Sequence, residues 1–304
     1  MLFGRSKKLK KEFAGVITGA SSGIGKALAI YLARKYRARL VINGRNQEQL
    51  ESTKEAVEKA GGICTIVAGD IGEEGMAASL VRTCREQFGS IDLLVNNAGM
   101  AYPGKVTSLN PEDWRRVFDV NYFACVEAIY EAMPHFMENG GGKVVNVSSV
   151  AGKIPFSGSV LYSSSKHAMN SMSVAMGAEL SGKNIDFLTV CPGWVRTEFF
   201  EKNQVADAKN PTLIASKNSP SGWLMRSVLS TSAEAVAKEI DRYLRKGGSH
   251  EIIMTAPGKI FERLQGLFPG VVWSINKMLP TDYVDSSTSK KEEAESLKKD
   301  KIKS

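Results

Sequence analysis

The residues with the clearest chemical meaning are Tyr162 and Lys166, in the stretch Tyr162-Ser-Ser-Ser-Lys166. On a helix this spacing puts both side chains on one face, about one turn apart. A phenol titrates near pH ~10 in water, so ionising it at neutrality takes roughly 4 kcal/mol of preference for the phenolate. A nearby ammonium, with a cationic cofactor ring, supplies charge of the right sign. The product is a tyrosine able to give or take a proton at physiological pH. Such pairs also occur on solvated helix faces, so this one carries weight only in company.

That company begins with Thr18-Gly-Ala-Ser-Ser-Gly-Ile-Gly25. Gly19, Gly23 and Gly25 permit a tight turn and close backbone approach to a pyrophosphate. The helix that follows offers free N–H groups and a favourable dipole to the anion. The spacing Gly-x-x-x-Gly-x-Gly differs from the Gly-x-Gly-x-x-Gly dinucleotide fingerprint. The same residues include Gly19-Ala-Ser21-Ser-Gly23, the Gly-x-Ser-x-Gly pattern of a hydrolase nucleophile elbow. Against that reading, the turn follows the first strand rather than several, and His250, the only late histidine, has no distinctive setting.

The elements that must position these residues alternate along the chain. Residues 13–18 read as a buried strand and 24–33 as a helix with an apolar stripe. Strands follow at 40–43, 63–68, 91–95, 143–148 and 185–190. Helices lie between them at 47–59, 73–88, from Pro111 (with Asn110 as N-cap) towards Pro134, and at 162–180. Strands apolar on both faces and alternating with helices predict an α/β fold: a doubly wound parallel sheet with helices on both faces. Beyond Pro192 the rhythm changes. Residues 197–230 are polar and irregular, as in a lid or substrate loop. A helix at 233–244 and an edge strand at 251–254 complete the domain. These readings divide the chain into a basic arm (1–12), a catalytic domain (13–256), a C-terminal helical extension (257–280) and a charged, disordered tail (281–304).

At 304 residues the chain can bury a full core, and 43% hydrophobic with 24% charged residues is ordinary for a globular protein. No apolar run reaches the length of a membrane span, and the first residues lack a signal-peptide core, so a cytoplasmic location is expected. The net charge is +8, with Arg5, Lys7, Lys8, Lys10 and Lys11 crowded at the start. A solvated arm is the expected role, with attraction to anionic lipid or an anionic carrier as the alternative. No nucleic-acid partner is expected. Cys64, Cys84, Cys125 and Cys191 are far apart and the histidines do not cluster with them, so no metal site is expected.

Asn96-Asn-Ala-Gly99 and Asn146-Val-Ser-Ser149 stand, in order, between the glycine turn and Tyr162. Pro192-Gly193 with Thr197 follows. Together these stretches closely resemble the short-chain dehydrogenase/reductase family, in its compact single-domain branch of the Rossmann fold. The resemblance spans residues 13 to about 199. It implies that Tyr162 is the proton donor and acceptor, and that Lys166 lowers its pKa and binds the nicotinamide ribose. It implies further that Ser149 hydrogen-bonds the substrate oxygen and that Asn121 anchors a water in the proton relay. Physical logic agrees: hydride chemistry belongs to the cofactor, and the protein must place a carbonyl and manage one proton.

Cofactor contacts implied by the resemblance are Gly19, Ser21, Ser22, Gly23, Ile24 and Gly25 at the turn, and Arg45 and Asn46 after the second strand. Asp70 would bind the adenine amino group, and Asn97, Ala98 and Gly99 would line the adenosine side and floor; Ile71, Pro192, Gly193, Val195 and Thr197 are further implied contacts. Single residues have plainer roles too: Ser149 as a strand-end cap, Asn121 as a local backbone partner, Asp70 as a helix N-cap. No carboxylate follows the second strand to bind ribose hydroxyls, while Arg45 suits a 2′-phosphate, so NADP(H) is expected over NAD(H). Ser22 stands where many NADP users carry a basic residue.

The lid and the aromatic segment 260–278 suggest a hydrophobic ketone or secondary alcohol: steroid-like, 3-oxoacyl or sphingoid. Packing is the first expectation for the aromatic segment, in the monomer or between subunits. The other is an interfacial membrane anchor flanked by Lys259, Arg263 and Lys277. The family also implies a homodimer or homotetramer. Alternatives on the same fold are a nucleotide-sugar epimerase or dehydratase and a non-catalytic NADP-sensing regulator.

Overall fold

The structure, a computed structural model, describes residues 8–104, 106–195 and 230–278. Expectations for the start of the basic arm, for Thr197 and nearly all of the 197–230 lid, and for the charged tail lie outside the described residues.

The short apolar runs become strands: β1 (Ala14–Ile17), β2 (Arg39–Gly44), β3 (Ile63–Ala68), β4 (Leu93–Asn96), β5 (Gly142–Val147), β6 (Ile185–Cys191), the short β7 (Trp194–Val195) and β8 (Ser230–Thr231), and β9 (His250–Ile253). Seven run parallel in the order β3-β2-β1-β4-β5-β6-β9; β7 and β8 pair separately. Alternate residues of each strand enter opposite cores, the reason for their continuous hydrophobicity. Ile17, Leu93, Val95 and Val145 face Leu28, Leu32, Val236 and Ile240 on one side. Val16, Leu94 and Val144 face Leu80, Val81, Phe136 and Met169 on the other. The first side is covered by α1 (Gly23–Tyr36) and α2 (Gln47–Lys59), with a later helix, Ala233–Lys246. The second is covered by α3 (Met76–Phe88) and the helices between β4 and β6.

Those later helices differ from expectation. The region from Pro111 is not one helix. α4 (Pro111–Phe118), opened by a capping box between Asn110 and Asp113, passes through a π-helical turn at Asp119–Phe123 into α5 (Ala124–Glu138). The wider turn inserts an extra residue into the helical register, which no spacing rule in the sequence announces. α5 continues past Pro134, because burial of Ile129, Ala132 and Phe136 compensates the missing hydrogen bond. α3 begins at Met76 rather than near residue 73, since Gly75 at φ 81° ends the preceding turn in the left-handed region.

The long α6 (Val160–Glu179) carries Tyr162 and Lys166. α7 (Ala233–Lys246) is locked to α1 by Asp241, buried to 1% exposure. Its carboxylate accepts from Lys35 (2.5 Å), Tyr36 (2.6 Å), Arg245 (3.1 Å) and Tyr31 (3.2 Å). The chain then forms α8 (Ala256–Leu267) and α9 (Pro269–Met278). The expected packing of this extension against its own domain is mostly not realised: only Gly258 and Val272 are buried there among the described side chains.

Candidate active site

Parallel strands end on one edge. The register Ile17↔Val95 and Val95↔Val145 brings the carboxyl ends of β1, β4 and β5 together where the strand order reverses. In open α/β sheets a crevice forms at that switch point. Here it is a cleft of about 460 Å³. It receives the glycine turn after β1, Arg45 and Asn46 after β2, Asp70 and Ile71 after β3, and Asn97, Ala98 and Gly99 after β4. Ser149 after β5 and Pro192, Gly193 and Val195 after β6 complete that edge, with Tyr162 and Lys166 from α6.

The glycine turn is shaped by its neighbours. Gly19 has φ +64°, and a Cβ there would stand 2.7 Å from the Ala98 Cα. Gly23 has φ 57°. Thr18 Oγ1 accepts from the Asn97 and Ala98 N–H groups, both at 2.9 Å. Asn97 Nδ2 donates to the carbonyls of Thr18 (2.9 Å) and Gly19 (3.0 Å). Asn97 therefore stitches the turn to β4. Gly25 does not line the cleft. It lies behind the turn, where a Cβ would meet the Gly19 carbonyl at 2.5 Å. At the start of α1, Ser22 is extended and makes no side-chain cap, and the first turn has no acidic residue. The leading N–H groups and the dipole thus face the cleft without a competing anion.

The other end holds the reacting groups. Lys166, 2% exposed, donates from Nζ to the Val147 carbonyl at 3.0 Å. Its Nζ is 5.9 Å from the Tyr162 ring centroid. Tyr162 is hydrogen-bonded to the Ser149 side chain. Ser149 Oγ also accepts from the Ala151 N–H at 3.1 Å, so its strand-end capping role and its contact with the phenol coexist. Burial pushes the Tyr162 phenol up to about 12, against the lowering influence of Ser149. Burial also drives the Lys166 ammonium down to about 8. For Tyr162, burial outweighs the Ser149 hydrogen bond and favours the neutral phenol, the form that donates a proton.

Asn121 is fully buried and does not line the cleft. Its Oδ1 accepts from the Met100 N–H (2.8 Å), and its Nδ2 donates to the Met100 carbonyl (2.9 Å) and to Ser165 Oγ (2.9 Å). The π turn delivers it beside Gly99, where a Cβ would stand 3.2 Å from Asn121 Oδ1 and 3.4 Å from Lys166 Nζ. Asp70 also has engaged partners: the Gly72 N–H at 2.9 Å and the Arg116 guanidinium. Burial opposes its ionisation, but these two partners outweigh it and hold the carboxyl below its usual range. Arg116 lines the cleft and was not singled out in the sequence. No local pattern in the sequence marks it. Asn46 caps α2 through Gln49 N (2.8 Å), while Arg45 is exposed and has no ion-pair partner among the described residues.

The hydrolase pattern finds no partner. Ser21 follows β1, His250 begins β9 at the sheet edge, and four strand spacings of ~4.8 Å separate them. His250 is hydrogen-bonded to the Gly247 carbonyl at 2.9 Å.

The cradle tests positively for a dinucleotide: a left-handed glycine turn with no room for a side chain, an uncapped helix start, and a cleft leading to a buried Tyr–Lys pair. Fold and site define a Rossmann-type nicotinamide oxidoreductase. The family model for short chain dehydrogenase matches residues 14–208, and the chain belongs to that family of oxidoreductases, which use NAD(P). It is 34% identical over 227 residues to a 3beta-hydroxysteroid dehydrogenase of Mediterraneibacter gnavus, covering 74% of this chain and 81% of the relative. It is 29% identical over 224 residues to the ketoacyl reductase HetN of Nostoc sp., covering 74% and 78%. A crystal structure from Sinorhizobium meliloti 1021, assigned to the short-chain alcohol dehydrogenases, matches the fold with a TM-score of 0.69 at 23% identity. The match covers 81% of this chain and 95% of that one.

Proposed function

We propose that the protein is an NADP(H)-dependent oxidoreductase that interconverts a hydrophobic ketone and its secondary alcohol, with Tyr162 as general acid and base. The observation that carries this reading is the buried Tyr162, bonded to Ser149 and opening on the cleft that the glycine turn lines. The cofactor supplies or accepts the hydride when bound. Ser149 holds the carbonyl oxygen beside the phenol, and Tyr162 donates its proton to that oxygen as negative charge develops. Lys166 would hold the nicotinamide ribose, and it keeps cationic charge near the phenol.

NADP(H) is favoured by Arg45, exposed at the mouth without an ion-pair partner among the described residues, and by the lack of a carboxylate in Asn43-Gly-Arg-Asn46 at the end of β2. A hydrophobic substrate is supported by the steroid and ketoacyl substrates named for two relatives. A homodimer or homotetramer remains part of the proposal. The test is Tyr162→Phe, assayed by NADPH absorbance against a steroid ketone, a 3-oxoacyl thioester and a sphingoid ketone. Turnover of the accepted substrate should fall by at least about a thousand-fold, taking general acid catalysis near the top of its usual range, with NADPH binding retained. Retained turnover would refute the assignment.

A further inference from the structure

The α8–α9 hairpin leaves the core with its apolar side chains outward. Half of the large hydrophobic residues exposed among the described residues lie on it. Ile260, Leu267, Phe268 and Trp273 are 65%, 73%, 58% and 63% exposed. A patch of this kind marks an interaction surface. Its charges have one sign. Lys259, Arg263 and Lys277 are exposed, whereas Glu262, its one acidic residue, is half-buried and within electrostatic reach of Lys153 on the domain. Lys277 Nζ stands 3.6 Å over the Trp273 ring, placing a cation and an aromatic on one ridge.

We propose that this hairpin docks the protein on an anionic phospholipid surface. Outward Phe, Leu and Trp side chains with interspersed Lys and Arg are the chemistry of an interfacial helix, and no described helix is long and apolar enough to cross a membrane. A second copy is the poorer occupant: pairing this face with itself would bring two surfaces together whose exposed charges, Lys259, Arg263 and Lys277, are all positive, with no exposed carboxylate in the hairpin to meet them. The hairpin is fixed to the domain next to α6. Asn276 Nδ2 donates to the Pro155 carbonyl at 2.7 Å and its Oδ1 accepts from the Ser157 N–H at 3.3 Å, in the loop leading to Tyr162. Docking would bring that loop close to the lipid. The docking itself does not depend on the activity proposed above.

The experiment is co-sedimentation of the full chain with vesicles of phosphatidylcholine, alone or mixed with phosphatidylserine. The wild type should bind the mixed vesicles, less so at high salt. Converting Lys259, Arg263 and Lys277 together to Gln should lower partitioning about a hundred-fold, from roughly five-fold per cation. Phe268→Ser with Trp273→Ser should lower it independently, and both variants should keep the wild-type melting temperature and oligomeric mass. Wild type remaining in the supernatant with mixed vesicles, or both variants sedimenting like wild type, would overturn the proposal. So would a change of oligomeric mass in the variants with vesicle binding intact, which would assign the face to a second copy.

Discussion

Replacing Lys166 by methionine should abolish turnover and yet stabilise the fold at neutral pH. Methionine keeps most of the unbranched side-chain volume, so little cavity is created. What changes is the charge. Burial lowers the ammonium from 10.5 to about 8, a difference that corresponds to about 3 kcal/mol. The sign follows from linkage: a lowered folded-state pKa means that the unfolded chain binds more protons, so wild-type stability rises with pH. The cost of the buried cation is fully present below about pH 8 and fades as pH rises towards 10.5. Against this gain, the variant loses the 3.0 Å charge-assisted bond to the Val147 carbonyl, which costs about 1–3 kcal/mol. The net expectation at pH 7 is about 0–2 kcal/mol of added stability, or a melting temperature higher by up to about 4 °C. Urea unfolding of both proteins without cofactor, at pH 7 and again above pH 10, measures this. The advantage should vanish or reverse at the higher pH. A variant less stable than wild type at pH 7, or a difference independent of pH, would refute the argument that desolvation dominates this site.

The other predictions concern cofactor, turn and scaffold. Arg45→Asp should weaken NADP(H) by roughly ten-fold or more, the loss of one charge-assisted contact, and leave NAD(H) relatively favoured; steady-state kinetics with both cofactors reads it, and unchanged NADP(H) affinity would remove Arg45 from the assignment. Gly25→Ala should destabilise by about 1–2 kcal/mol despite a better helix former, because the added Cβ meets the Gly19 main chain at 2.5 Å. Cofactor titration should show weaker binding in the same variant. Asp241→Ala should cost about 1–3 kcal/mol at pH 7, mainly by leaving the buried Tyr36 hydroxyl without its acceptor. Burial opposes the ionisation of Asp241, but Lys35, Tyr36 and Arg245 hold its carboxyl below the usual range. Its stabilisation is thus present above the ordinary carboxylate range and lost as pH falls through the folded value, so the deficit of the variant should shrink in acid unfolding.

The sequence alone determined the alternation of strands and helices, the parallel sheet and the identities of most cleft residues. Periodicity is local, and the glycine turn, the Tyr–Lys spacing and the Asn110 cap are each read within a few residues. Tertiary structure decided what depends on distant neighbours. Asn121 reaches Met100 and Ser165 through a π turn whose extra residue no local pattern marks. Arg116 meets Asp70 only because α4 crosses the end of β3. Gly25 supports the turn from behind instead of lining the cleft, a distinction set by the carbonyl it abuts. The same holds for charge. The spacing of Tyr162 and Lys166 places an ammonium near a phenol, but the sign of each pKa shift comes from burial, which is a property of everything packed around the pair.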